Sequence, residues 1–183
     1  MEFKIGTKQI LRLLHILSWI IFLGLCVETG GIIFNTIYAH FNPLVARYFW
    51  NNADLSALYA RDKGYFFALG AIMTIASALK ALLFYFIVRM FKDKRFDISR
   101  PFHPELTALI SRITYCSLGV GLFSYWGAKH VSWFEQGGIE MPGTDQLRIG
   151  GADVWLFMAV VLFVIGYVFK KGTELQSEND LTV

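Results

Sequence analysis

Few residues in this chain have types suited to chemistry, and their setting matters more than their spacing. Glu28 and Lys80 each interrupt a long apolar run. A charge taken into hydrocarbon is costly, so it faces other protein groups, pairs with one of them, or serves a ligand or ion path. The chemistry open to the two is therefore a proton or ion pathway, a counter-charge for a ligand, or a structural pair between their segments. By helical rise, Glu28 lies about 9 Å from the end of its run at Phe34, and Lys80 about 15 Å from the end of its own at Met90. In a core about 30 Å thick these depths differ by several ångströms, a gap that a lysine stem partly covers. Arg112 lies about two turns into a third run, where its side chain can snorkel to the headgroups. Glu28, Lys80 and Arg112 are the candidate intramembrane polar site.

Other chemistries lack their residues. His15 lies shallow in the first run, and His40, His103 and His130 fall in connections or at segment ends. Haem ligation in a bundle needs histidines at matched depth on facing helices. Cys26 and Cys116 are far apart, each inside an apolar run. They offer no metal or disulfide spacing and read as small apolar side chains. No nucleophile elbow, phosphate loop, His-Glu-x-x-His pair or Cys-x-x-Cys motif occurs. No catalytic, cofactor-binding or metal-ligating residue is expected, and a membrane enzyme is the third reading. The net charge of +3 is spread over short connections, so no direct nucleic-acid binding is expected.

Composition and hydropathy define the segments that carry these polar residues. Of 183 residues, 55% are hydrophobic, 16% aromatic and 17% charged, against about 25% charged in an average soluble domain. The apolar residues gather into four runs, at about 11–34, 65–90, 106–126 and 150–169, the last certain only from Val154. Each approaches the roughly 20 residues needed to cross a bilayer, and backbone in lipid must be helical to satisfy its own hydrogen bonds. The expected fold is an all-α integral membrane protein, a single-domain four-helix transmembrane bundle. The basic start of the chain is followed by no small-residue cleavage site, so the first run reads as a retained helix. Eleven of the 17 basic residues flank one side, most densely from Arg89 to Arg100, and five flank the other. The positive-inside rule then puts both termini in the cytoplasm. The outer loops are 35–64 and 127–149, the inner loop is 91–105, and the cytoplasmic tail is 170–183.

The connections differ in character. The first outer loop holds Tyr38, Phe41, Tyr48, Phe49 and Trp50, an aromatic density that suits a short helix at headgroup level. The second holds Gly137-Gly138, Pro142-Gly143 and Gly150-Gly151 and reads as a turn-rich excursion with a small hairpin. In the second run, Gly70, Thr74 and Ala78 share a face for close helix packing and secondarily for a contact with another copy, and Gly119 and Gly121 serve the third.

After Lys170-Lys171 the chain is polar and ends Ser177-Glu178-Asn179-Asp180-Leu181-Thr182-Val183. This ending, the basic inner loop, Pro101-Phe102, Glu105 and the helix opening with Arg112-Ile113 resemble a bacterial membrane family catalogued as domain of unknown function 2975. The resemblance runs from the second run to the end of the chain. It implies a four-span protein in the cell inner membrane and no established activity. It also implies, as a partner, a small helix-turn-helix transcription regulator at the cytoplasmic face. The leading expectation is a non-enzymatic sensor or anchor for such a regulator, with Glu178, Asn179, Asp180, Leu181, Thr182 and Val183 as the partner-binding tail. Acidic residues there would steer a basic partner, and the terminal apolar residues would anchor it. A small transporter or ion-coupled carrier using Glu28 and Lys80 is the alternative.

Overall fold

The computed structural model describes residues 7–92 and 104–180. It consists of helices α1 (Thr7–Tyr38), α2 (Ser56–Arg61), α3 (Lys63–Lys92), α4 (Pro104–Gln136) and α5 (Ala152–Asp180), with 3₁₀ turns at Pro43–Ala46 and Trp50–Asn52. Four of the five (α1, α3, α4 and α5) are long and apolar enough to cross a membrane. Among the described residues there is no strand, only one isolated bridge between Phe49 and Ala53. The protein is thus an all-helical, multi-pass bundle.

Local chemistry sets the helix ends. α4 opens at Pro104 with Glu105 in its first turn; proline has no first-turn N–H to lose, and the carboxylate meets the positive end of the helix dipole. Asp62 separates α2 from α3, and its Oδ1 accepts from the backbone N–H of Gly64 and Tyr65 at 2.7 and 3.2 Å, capping α3. Arg89 and Lys92 close the last turn of α3, where cations are favoured. Along α1, the hydroxyls of Ser18, Thr29 and Thr36 donate to carbonyls one turn back, which satisfies them where no water is at hand.

The four long helices form an antiparallel row in the order α1, α3, α4, α5. A glycine lies at each seam: Gly70 faces Thr36, Gly119 faces Leu79, and Gly121 faces Leu156. A Cβ at any of these would approach its neighbour within 3 Å, so the absent side chain lets the backbones close. Among the described residues no comparable packing joins α1 to α5. The row is open along that side, and α1 and α5 bury little of their surface. One end of the row gathers the start of α1, the end of α3, the start of α4 and the end of α5, and we call it the basic end. The opposite, capped end carries both remaining connections.

The tightest core sits at the capped end. Phe49, Leu55, Leu58, Phe66, Leu69, Met73, Leu147 and Ile149 are all buried there. Phe66 meets Phe49 and Tyr59 edge to face, with centroids 5.8 and 5.0 Å apart, and the Tyr59 hydroxyl donates to the Ala39 carbonyl at 3.0 Å. Each large apolar side chain buried in this way contributes about 1.5–3 kcal/mol. The connections are therefore a packed cap and not loose excursions.

Two features depart from the hydropathy pattern. α4 continues past its apolar stretch to Gln136, because Val131 and Phe134 are buried against the cap. The hairpin expected in the second outer loop does not form. Its backbone closes on itself in tight turns, with Leu147 N–H donating to Gly143, Arg148 to Asp145 and Ile149 to Thr144.

Candidate functional site

Leu147 and Ile149 are fully buried, on either side of Arg148 in the sequence. Anchoring both neighbours fixes where Arg148 stands, and its backbone takes the left-handed conformation, φ +61°. That conformation costs a residue with a Cβ about 1–2 kcal/mol, an expense the surrounding packing has to hold in place. The next residues, Gly150 and Gly151, lead directly into α5 at Ala152. Gly151 has φ +71°, and a Cβ on Gly150 would collide with the carboxylate of Asp145.

From this position Arg148 Nε donates to Glu28 Oε2 on α1 at 2.8 Å. Glu28 is buried, and its other oxygen accepts from the Ser77 hydroxyl on α3 at 3.1 Å. Lys80, one turn further along α3, donates from Nζ to the backbone carbonyl of Arg148 at 2.8 Å. Its ammonium also lies 5.9 Å from the Trp155 ring on α5, within cation–π range. Leu25, Glu28, Lys80, Asp145, Arg148 and Gly150 line a cleft of about 280 Å³. Three elements and the lead into α5 thus converge on one charged cluster.

The two ionisable residues singled out from sequence share this cleft, but they do not bond each other among the described residues. Each bonds Arg148, one through its side chain and the other through its carbonyl. Geometry explains the arrangement. Lys80 lies nearly one helical turn beyond the level of Ser77, so its stem reaches back toward the cap, where a carbonyl waits. In the sequence Arg148 is one of the five basic residues on the outer side; the alternation Leu147-Arg148-Ile149 ahead of a double glycine is the one available signal. Arg112 is elsewhere, with its guanidinium 5.5 Å from the Phe86 ring on α3. It belongs to the basic half and does not join the cluster.

In the tail, α5 stays helical through Asp180. Lys171 and Glu174 form an exposed pair at 2.7 Å, of the kind worth little in water. Glu178 is exposed. The side chains of Asn179 and Asp180, and all of Leu181, Thr182 and Val183, lie outside the described residues. In the cap, the Asp54 carboxyl accepts from the Ser56 hydroxyl and backbone N–H. These bonds hold its pKa below the usual carboxylate range and tie down the start of α2. Among the described residues no group of three or more His, Cys, Asp or Glu could hold a metal ion.

A family model described as a protein of unknown function, DUF2975, matches residues 50–183, which takes in α2 through α5, Lys80, Arg148 and the tail. No curated protein and no solved structure matches the chain.

Proposed function

The chain belongs to DUF2975, a family described as of unknown function, and from that premise we propose that it is a non-enzymatic membrane sensor. In this reading the Arg148 latch is the sensing element, and α5 carries its state to a small cytoplasmic helix-turn-helix regulator. The basic end faces the cytoplasm of a bacterial inner membrane, in keeping with the eleven-to-five division of basic residues. The observation that carries the reading is the latch itself: a strained residue at the head of α5, held by a buried carboxylate on α1 and a lysine on α3. A strained element held by a few polar bonds is a natural two-state device, since losing the bonds lets the backbone relax. α5 then runs without interruption for 29 residues to the tail, so movement at its head reaches the far surface. Glu178 to Val183 form the contact with the regulator, acidic residues steering and Leu181 and Val183 anchoring.

Crosslinking in native membranes tests this. The double variant Leu181→Ser, Val183→Ser should lose the regulator with unchanged thermal stability in detergent. Glu28→Gln should alter regulator recovery although the tail is intact. Recovery unaffected by either variant would remove the sensor reading. The carrier reading retains Glu28 and Lys80 as its working charges, since both line the cleft; uptake lost in Glu28→Gln, with regulator recovery unchanged, would put it first.

A further inference from the structure

The proposed latch leaves the chemical nature of its signal open, and the cleft's charges bear on that. Glu28 is fully engaged by Arg148 and Ser77, so it serves as an internal anchor. Lys80 makes no close ion pair among the described residues; its ammonium donates to a carbonyl and lies over an aromatic face, with the charges of Glu28 and Arg148 acting on it at longer range. Asp145 lines the same cleft, is exposed, and its carboxylate accepts no hydrogen bond among the described residues. Arg148 uses Nε on Glu28 while its side chain stays 51% exposed. The cleft therefore presents unpaired positive and negative groups side by side, with Leu25 as an apolar wall. It is lined by α1, α3 and the turn ahead of α5, and α1 and α5 make no comparable packing with each other among the described residues.

We infer that the cleft binds a zwitterion of the phosphoethanolamine type, its oxyanion on Lys80 and Arg148 and its primary ammonium on Asp145. The inference rests on the latch reading for its consequence but not for its chemistry. A purely anionic ligand would leave Asp145 as an uncompensated repulsive group, and a purely cationic one would meet Lys80 in the same way. A zwitterion satisfies both, and charge-assisted hydrogen bonds at its two ends supply orientation as well as affinity. A cleft of about 280 Å³ has room for a headgroup of this size. The ligand's two sources are an ethanolamine phospholipid entering between α1 and α5, and a free small molecule entering from the cap.

The experiment uses the full chain in nanodiscs, read by thermal midpoint and native mass spectrometry. Discs of phosphatidylglycerol alone are compared with discs containing phosphatidylethanolamine, and with phosphatidylglycerol discs given free O-phosphoethanolamine. Stabilisation by the ethanolamine lipid assigns the lipid source, and stabilisation by the free compound alone assigns the soluble one. In either case Asp145→Asn and Lys80→Met should each weaken binding about tenfold or more, the effect of losing one charge-assisted hydrogen bond. Phosphocholine should bind more weakly than phosphoethanolamine, because its quaternary nitrogen has no proton to donate to Asp145. Asp145 is an exposed turn residue, so an unchanged midpoint for Asp145→Asn in phosphatidylglycerol discs certifies its fold. Equal binding of phosphoglycerol and phosphoethanolamine headgroups, or binding indifferent to Asp145→Asn, overturns the inference. If binding fails while Glu28→Gln still alters regulator recovery, the ligand is wrong and the latch stands. If binding holds and regulator recovery ignores the latch, the reverse is true.

Discussion

At the scale of single residues, the contact between Glu28 and Arg148 is unequal in its two halves. The Glu28 side chain is 8% exposed and that of Arg148 51%. Removing Arg148 leaves a buried carboxylate with only Ser77 to bond, whereas removing Glu28 leaves a guanidinium that water can reach. Breaking a fully buried pair costs about 3–5 kcal/mol, and the half-exposed partner lowers that figure here. Arg148→Met should thus cost about 2–3 kcal/mol and Glu28→Gln about 1 kcal/mol, both below the fully buried case. The double variant should cost less than the two added together. Thermal unfolding in detergent reads all three. The same cycle run between Glu28 and Lys80 should show smaller coupling, because those side chains meet through the Arg148 carbonyl and not directly. Strictly additive losses in the first cycle would mean that the 2.8 Å contact carries no coupling.

Among the elements, the cap and α1 meet at a close fit that depends on one of two adjacent glycines. A Cβ on Gly31 would lie about 2.0 Å from the Trp50 ring, while one on Gly30 would meet nothing within 4 Å. A methyl at the first position must push a half-buried indole off the helix, and overpacking of this kind costs about 1–3 kcal/mol. At the second it merely adds a good helix former to α1. Gly31→Ala should lower the thermal midpoint and raise proteolysis of the segment between α1 and α3. Gly30→Ala should leave the midpoint unchanged or slightly higher. The comparison isolates the seat of the cap on α1, since both changes are chemically identical and one residue apart.

For the whole molecule, the open row and its basic end lead to a topology that reporter fusions can read. Fusions after Gly64, Lys94, Gly138 and Val183 should report outside, inside, outside and inside. An outside reading at Val183 would invert the orientation, put the cap in the cytoplasm, and remove the tail from reach of any cytoplasmic regulator. The arrangement also sets what can move. α3 and α4 are each packed on two sides by long helices, while α1 and α5 are each packed on one. A displacement at the head of α5 would therefore act on an edge helix, which has less to disrupt than a central one.

That the chain is helical and membrane-crossing was legible without coordinates, because long apolar runs have one stable conformation in lipid whatever they pack against. The sequence also carried the family, through the ending Glu178 to Val183 and the Arg112-Ile113 helix opening, which the match over residues 50–183 bears out. Glu28 and Lys80 stood out for the same reason as the runs themselves: a charge among apolar residues is conspicuous without any coordinates. Folding was needed to join the two residues through Arg148, 120 positions from Glu28. The place of the densest core, in the cap, is likewise a property of the folded chain. Hydropathy records each residue's preference for lipid or water and nothing of its neighbours. Arg148 in an outer loop looks like any solvated cation until Leu147 and Ile149 are buried around it. The long-range contacts that bury them arise from the packing of the two connections against each other and against α3, which no local pattern encodes.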